Sequence, residues 1–152
     1  MKRIAKGFMV AMCLFLGATA MGQNTSELVT IEKNNLPKES IGFIDKYFSD
    51  KQIEYILLEK NTFSSDEYKV KLSDNVEIEF DQKGNWKEVE VLSGKMPNGF
   101  INKNILNYVN SKFPNTEILK IDKSKSGKQE VKISNGLELE FDAKGNFLRI
   151  ED

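Results

Sequence analysis

The ten residues 77–86, EIEFDQKGNW, return as residues 138–147, ELEFDAKGNF. A chain that spells the same strand, turn and aromatic twice is expected to build the same unit twice, and the match extends beyond the decapeptide. Leu36-Pro37 corresponds to Met96-Pro97, and each pair precedes apolar residues at helical spacing. These are Ile41, Ile44 and Phe48, with Phe43 and Tyr47 beside them, in the first copy. Ile101, Ile105, Val109 and Phe113 follow in the second. Proline suits the first turn of each helix, and Pro114 marks the end of the second, which the spacing predicts to be the longer. Four strand-like runs follow each helix. They lie at 53–60, 67–72, 76–81 and 86–92, then at 117–122, 129–133, 137–142 and 147–151. The expected class is α+β, with tandem α-β-β-β-β repeats at 36–95 and 96–152 and helices packed on antiparallel sheet. Units this small bury little surface alone, so two side by side make physical sense.

Register follows from alternation. Val131, Ile133, Leu137 and Leu139 share a core face only if Ser134-Asn135-Gly136 is a three-residue loop, with Gly136 left-handed and Ile133 opposite Leu137. Ser73-Asp74-Asn75 does the same in the first copy, with asparagine as the left-handed residue. Lys71 then faces Glu77, and Lys69 faces Glu79, on the outer face.

Asp81-Gln82-Lys83-Gly84 and Asp142-Ala143-Lys144-Gly145 have the aspartate and glycine of a type I turn. A calcium loop needs carboxylates at alternate places, and lysine stands at the third here. No metal or other cofactor is expected. Glu77, Glu79, Glu138 and Glu140 form carboxylate rows at strand spacing, so a carboxylate-dependent hydrolase stands as one alternative. The commoner reading is a solvated sheet face. Loops at 82–85 and 143–146 put Asp81 opposite Trp86, and Val89, Val91, Leu148 and Ile150 inward. Trp86 and Phe147 then fall on the charged outer face as candidate partner-binding anchors. A bulge after the turn would instead rotate both rings into the core.

Residues 1–22 read as a secretory signal peptide. Lys2, Arg3 and Lys6 precede an apolar run too short to span a bilayer, and small residues close it. Cleavage after Gly22 is expected, with 23–35 as an N-terminal extension. Cys13, the only cysteine, leaves with the leader, so no disulfide forms. Loss of the leader's three basic residues leaves 19 basic against 23 acidic ones, with no basic cluster of the kind that binds nucleic acid. The chain has no histidine, which removes imidazole general bases, Ser-His and Cys-His pairs and histidine-built zinc sites.

The Leu36-Pro37 and Met96-Pro97 helix starts, Lys112-Phe113-Pro114-Asn115, and the twice-used Glu-Phe-Asp-x-x-Gly-Asn-aromatic resemble the PepSY-like, β-lactamase-inhibitor-like family of exported bacterial proteins. The resemblance covers about 36–152; Phe48-Ser49-Asp50 departs from the Phe-Pro-Asn closure in the first copy. It implies an α+β fold, a periplasmic or secreted location, and no catalytic residues. The expected function is a non-enzymatic binding or inhibitor-like module. Its exposed sheet face would contact an envelope protein or peptide. A binder of a small apolar or glycan ligand is the other alternative.

Overall fold

The structure, a computed structural model, describes residues 26–60 and 65–151. The expected signal peptide and its cleavage site lie outside the described residues. Nine strands run as one antiparallel meander in sequence order: β1 (Ser26–Thr30), β2 (Ile53–Lys60), β3 (Glu67–Leu72), β4 (Val76–Asp81), β5 (Trp86–Val91), β6 (Ile118–Lys123), β7 (Gln129–Ile133), β8 (Glu138–Phe141) and β9 (Phe147–Glu151). Among the described residues two α-helices, α1 (Lys38–Tyr47) and α2 (Lys103–Lys112), join the sheet in an α+β fold. Strand β1, which no alternation announces, extends the sheet by pairing with β2.

Strand periodicity puts one apolar row across the whole sheet. Thr30, Ile56, Val70, Ile78, Val89, Ile121, Val131, Leu139 and Ile150 stand opposite one another in turn. From Ile56 to Leu139 every member of the row is buried. Both helices pack on this face. Ile44 of α1 and Ile105 and Val109 of α2 are buried in the same core, Phe43 meets Phe80 edge to face, and Tyr108 meets Phe141 likewise. Burying a side chain of this size contributes about 1.5–3 kcal/mol, so the row is the main source of cohesion in a chain without disulfides.

The hairpins keep the register that alternation demands. Leu72 faces Val76, Lys71 faces Glu77, and Lys69 faces Glu79. The Ile133 N–H donates to Leu137 O, and Gly136 has φ 92°. In the first of these loops Asp74 joins Asn75 in the left-handed region, where one such residue was expected. The second helix is not the longer: both have ten residues. Pro97 opens a short 3-10 turn at Asn98–Phe100, Ile101 is extended, and Asn102 then starts α2 by accepting the Asn104 N–H at 2.9 Å. An asparagine side chain that satisfies an orphan N–H is a stronger start signal than the upstream proline.

Candidate functional site

The repeated decapeptide clasps helix to sheet. In the first copy Asp81 Oδ1 accepts the backbone N–H of Lys83 at 2.8 Å and of Asn85 at 2.9 Å, and Asn85 Nδ2 donates to Asp81 Oδ2 at 2.9 Å. Asp142, Lys144 and Asn146 repeat the arrangement. Asn146's hydrogen bonds hold the Asp142 carboxyl below the usual carboxylate range, and Asp81 is lowered too because its turn hydrogen bonds outweigh desolvation. Both aspartates are therefore committed to backbone donors. Each turn reaches a helix start through a backbone carbonyl: Ser40 Oγ donates to Gly84 O at 3.4 Å, and Asn102 and Asn104 donate their amides to Lys144 O at 3.1 and 3.0 Å.

The aromatic that follows is not on the outer face. Glu79 stands opposite Glu88, yet Phe80 stands opposite Trp86, so Lys87 is an extra residue in a β-bulge. Leu148 is the extra residue between Phe147 and Arg149 in the second hairpin. Each bulge rotates the ring before it onto the helix face. Trp86 is half-buried near Phe43 and Phe100, at centroid separations of 6.3 and 5.3 Å, while Phe147 stacks on Tyr108 at 4.4 Å. The expected outward placement of both rings, and of Leu148 inward, is thereby corrected. One signal for it lay in the sequence: without a bulge, Lys87 would point into the core against Phe80.

The outer face is charged from β3 to β9. Across the strands run Leu57, Lys69, Glu79, Glu88, Asp122, Glu130, Glu140 and Arg149, each directly opposite the next. Five consecutive carboxylates, from Glu79 to Glu140, thus form a stripe that sequence reasoning missed, because it arises only when β5 pairs with β6. Like charges opposite one another in a sheet are destabilising. Lysines and Arg149 relieve the flanks. Lys69 pairs with Glu79 at 3.4 Å, Lys120 with Glu88 at 2.9 Å, and Lys128 and Arg149 each with Glu140 at 2.6 Å. The centre is relieved only at a distance, by the charge of Lys120, since no cation of the described residues comes within ion-pair distance of Asp122 or Glu130. Burial, then the facing Glu130, push the Asp122 carboxyl up to about 7. Burial and the neighbouring Glu151 and Glu138 raise Glu130 as well.

The glutamates considered for hydrolase chemistry are ion-paired on this open face, Glu77 with Lys71, Glu79 with Lys69, Glu138 with Lys132, and Glu140 as above. Among the described residues no group of three acidic residues converges to hold a metal ion, and no helix is long and apolar enough to cross a membrane.

This single sheet, carrying two helices on one side and charge on the other, is the architecture of a known group. Residues 66–149 match the model of the family described as beta-lactamase-inhibitor-like, PepSY-like, and the chain belongs to that family. Solved structures agree. A periplasmic protein of unknown function from Bacteroides vulgatus is 35% identical with a TM-score of 0.78, over 84% of this chain and 100% of that one. A protein from Bacteroides thetaiotaomicron, provisionally described as calcium-regulated and periplasmic, is 33% identical with a TM-score of 0.77, over 83% and 97%. Another Bacteroides vulgatus periplasmic protein is 32% identical with a TM-score of 0.76, over 83% of this chain and 97% of that one. No curated protein matches the chain closely.

Proposed function

We propose that this is an exported, non-enzymatic binding module whose outer sheet face docks an envelope protein or peptide presenting basic side chains. The supporting observation is the carboxylate stripe, whose central Asp122 and Glu130 face each other without a counter-ion among the described residues. A lysine or arginine from a partner, seated over this pair, would relieve their repulsion and form charge-assisted hydrogen bonds. The family's inhibitor-like description and the periplasmic relatives fit a binder in that compartment. Residues 1–22 act as the signal peptide, and the chain is a tandem duplication of one α-β-β-β-β unit, a reading that rests on the twice-used decapeptide and its twice-used clasp. The calcium link of the Bacteroides thetaiotaomicron relative is not extended to the Asp-x-Lys-Gly turns, whose carboxylates already accept N–H donors.

The test uses lysine-rich and glutamate-rich peptides of equal length. The lysine peptide binds, binding weakens with salt, and the double variant Asp122→Asn/Glu130→Gln reduces affinity about tenfold. A control of equal charge change, Glu32→Gln/Glu39→Gln, leaves it unaltered. Equal losses in both variants would mean that net charge, not this face, does the binding.

A further inference from the structure

Strands β5 and β6 pair only over Glu88–Glu90 and Lys120–Asp122, although β5 begins at Trp86 and β6 continues to Lys123. Past the last pair the strands part. The β4–β5 turn, the β6–β7 turn and the start of β3 then wall a groove of about 360 Å³, lined by Trp86, the cations Lys123 and Lys125, and the carboxylates Asp66, Glu67 and Asp81 among others. Its lining is unusual in two respects.

First, the indole is half open. In the second hairpin the corresponding ring, Phe147, is covered by Tyr108 in a parallel stack. Trp86 has no such cover. Phe43, from the equivalent place on α1, is tilted and 6.3 Å away, and Phe100 meets the ring edge to face. The Lys123 ammonium lies 3.5 Å from the indole centroid instead. Second, that ammonium is held in no ion pair among the described residues. Lys87 in the same groove is paired with Glu67 at 2.6 Å, but Lys123 is within ion-pair distance of no carboxylate of the described residues. Burial draws its affinity for the proton down, and only the charge of Asp81 works the other way. Lys125 adds a second cation at the rim, also without an ion pair among the described residues.

A half-buried ammonium held on an aromatic face is poised for a ligand that brings a carboxylate and a flat apolar surface together. We propose that this groove binds a small organic carboxylate of single-ring size, such as a uronic acid. Lys123 turns from the indole to take the carboxylate, and the apolar face of the ligand replaces the ammonium on the Trp86 ring. The volume suits one ring and its substituents, since ligand pockets of ordinary drug-sized molecules begin at about 300 Å³. The proposal is independent of the outer face, because the groove lies at the end of the sheet and shares no residue with the carboxylate stripe.

Trp86 is the only tryptophan, so its fluorescence reports on the groove directly. Galacturonate is titrated into the full chain, with galactose and an acetylated, amidated glutamate-containing peptide as parallel arms. Galacturonate is expected to give a saturable change that galactose does not. Lys123→Met should weaken it about tenfold or more, while Lys123→Arg keeps it. Thermal melts check that both variants fold. No saturable change, an equal response to galactose, or an undiminished response in Lys123→Met would overturn the proposal. Binding of the peptide alone would overturn it too, by assigning the groove to acidic side chains of proteins.

Discussion

A methyl group added at Gly145 would lie 2.7 Å from Asn102 Cγ, whereas one added at Gly136 would meet nothing within 4 Å. Both glycines have positive φ, 83° and 92°, so a side chain at either pays similar backbone strain. Only Gly145 also touches the start of a helix, as Gly84 touches Pro37 and Ser40 in the first copy. Gly136→Ala should therefore cost about 1 kcal/mol, from strain alone. Gly145→Ala should cost about 3 kcal/mol, because strain and the clash with Asn102 add. Urea unfolding of the two variants measures the difference, and equal costs would mean that the turn does not clasp α2. The glycine's place in a turn was legible from Asp-x-Lys-Gly, because turn preference is local. Its approach to a helix over forty residues away was not.

The carboxylate stripe belongs to the scale of elements, since each of its members comes from a different strand. Asp122 on β6 is ionised with difficulty between Glu88 on β5 and Glu130 on β7. Its folded value of about 7 exceeds its ordinary value of 3.8, so the folded state holds the proton more tightly than the unfolded chain. The penalty for ionising it is absent below about pH 4, grows as pH rises, and is complete above about pH 7. Asp122→Asn should accordingly raise the melting temperature at pH 8 and bring no gain at pH 4, as thermal melts across that range would read. A gain that is independent of pH would assign the effect to packing instead. Asp81 and Asp142 have the opposite sign, lowered by their turn hydrogen bonds, and they cost stability as pH falls through their folded values.

For the whole molecule, the question is what joins one helix-and-four-strand half to the other. The β5–β6 pairing is short, and the segment between the halves strengthens it. Phe100 lies against Phe43, Tyr47 and Trp86, at 5.1, 5.3 and 5.3 Å, and the Tyr47 hydroxyl donates to Gly99 O at 3.3 Å. The chain should unfold in one calorimetric transition. Phe100→Ala, which truncates a half-buried ring, should cost about 2 kcal/mol. Two separate transitions in the native chain would show that the halves are independent domains.

The sequence by itself determined the α+β class, most strand limits, the hairpin loops and the face that most strands bury, because alternation and turn chemistry act within a few residues. Strands β2, β3, β4, β7 and β9 match their expected limits for that reason. Tertiary structure decided the rest. It delayed the start of the expected long helix to Asn102, added β1, and turned Trp86 and Phe147 under the helices through single-residue bulges. It also set β5 beside β6, which aligned five carboxylates and opened the groove beside Trp86. These outcomes depend on which distant surfaces meet, and a one-residue bulge is enough to exchange the faces of a strand.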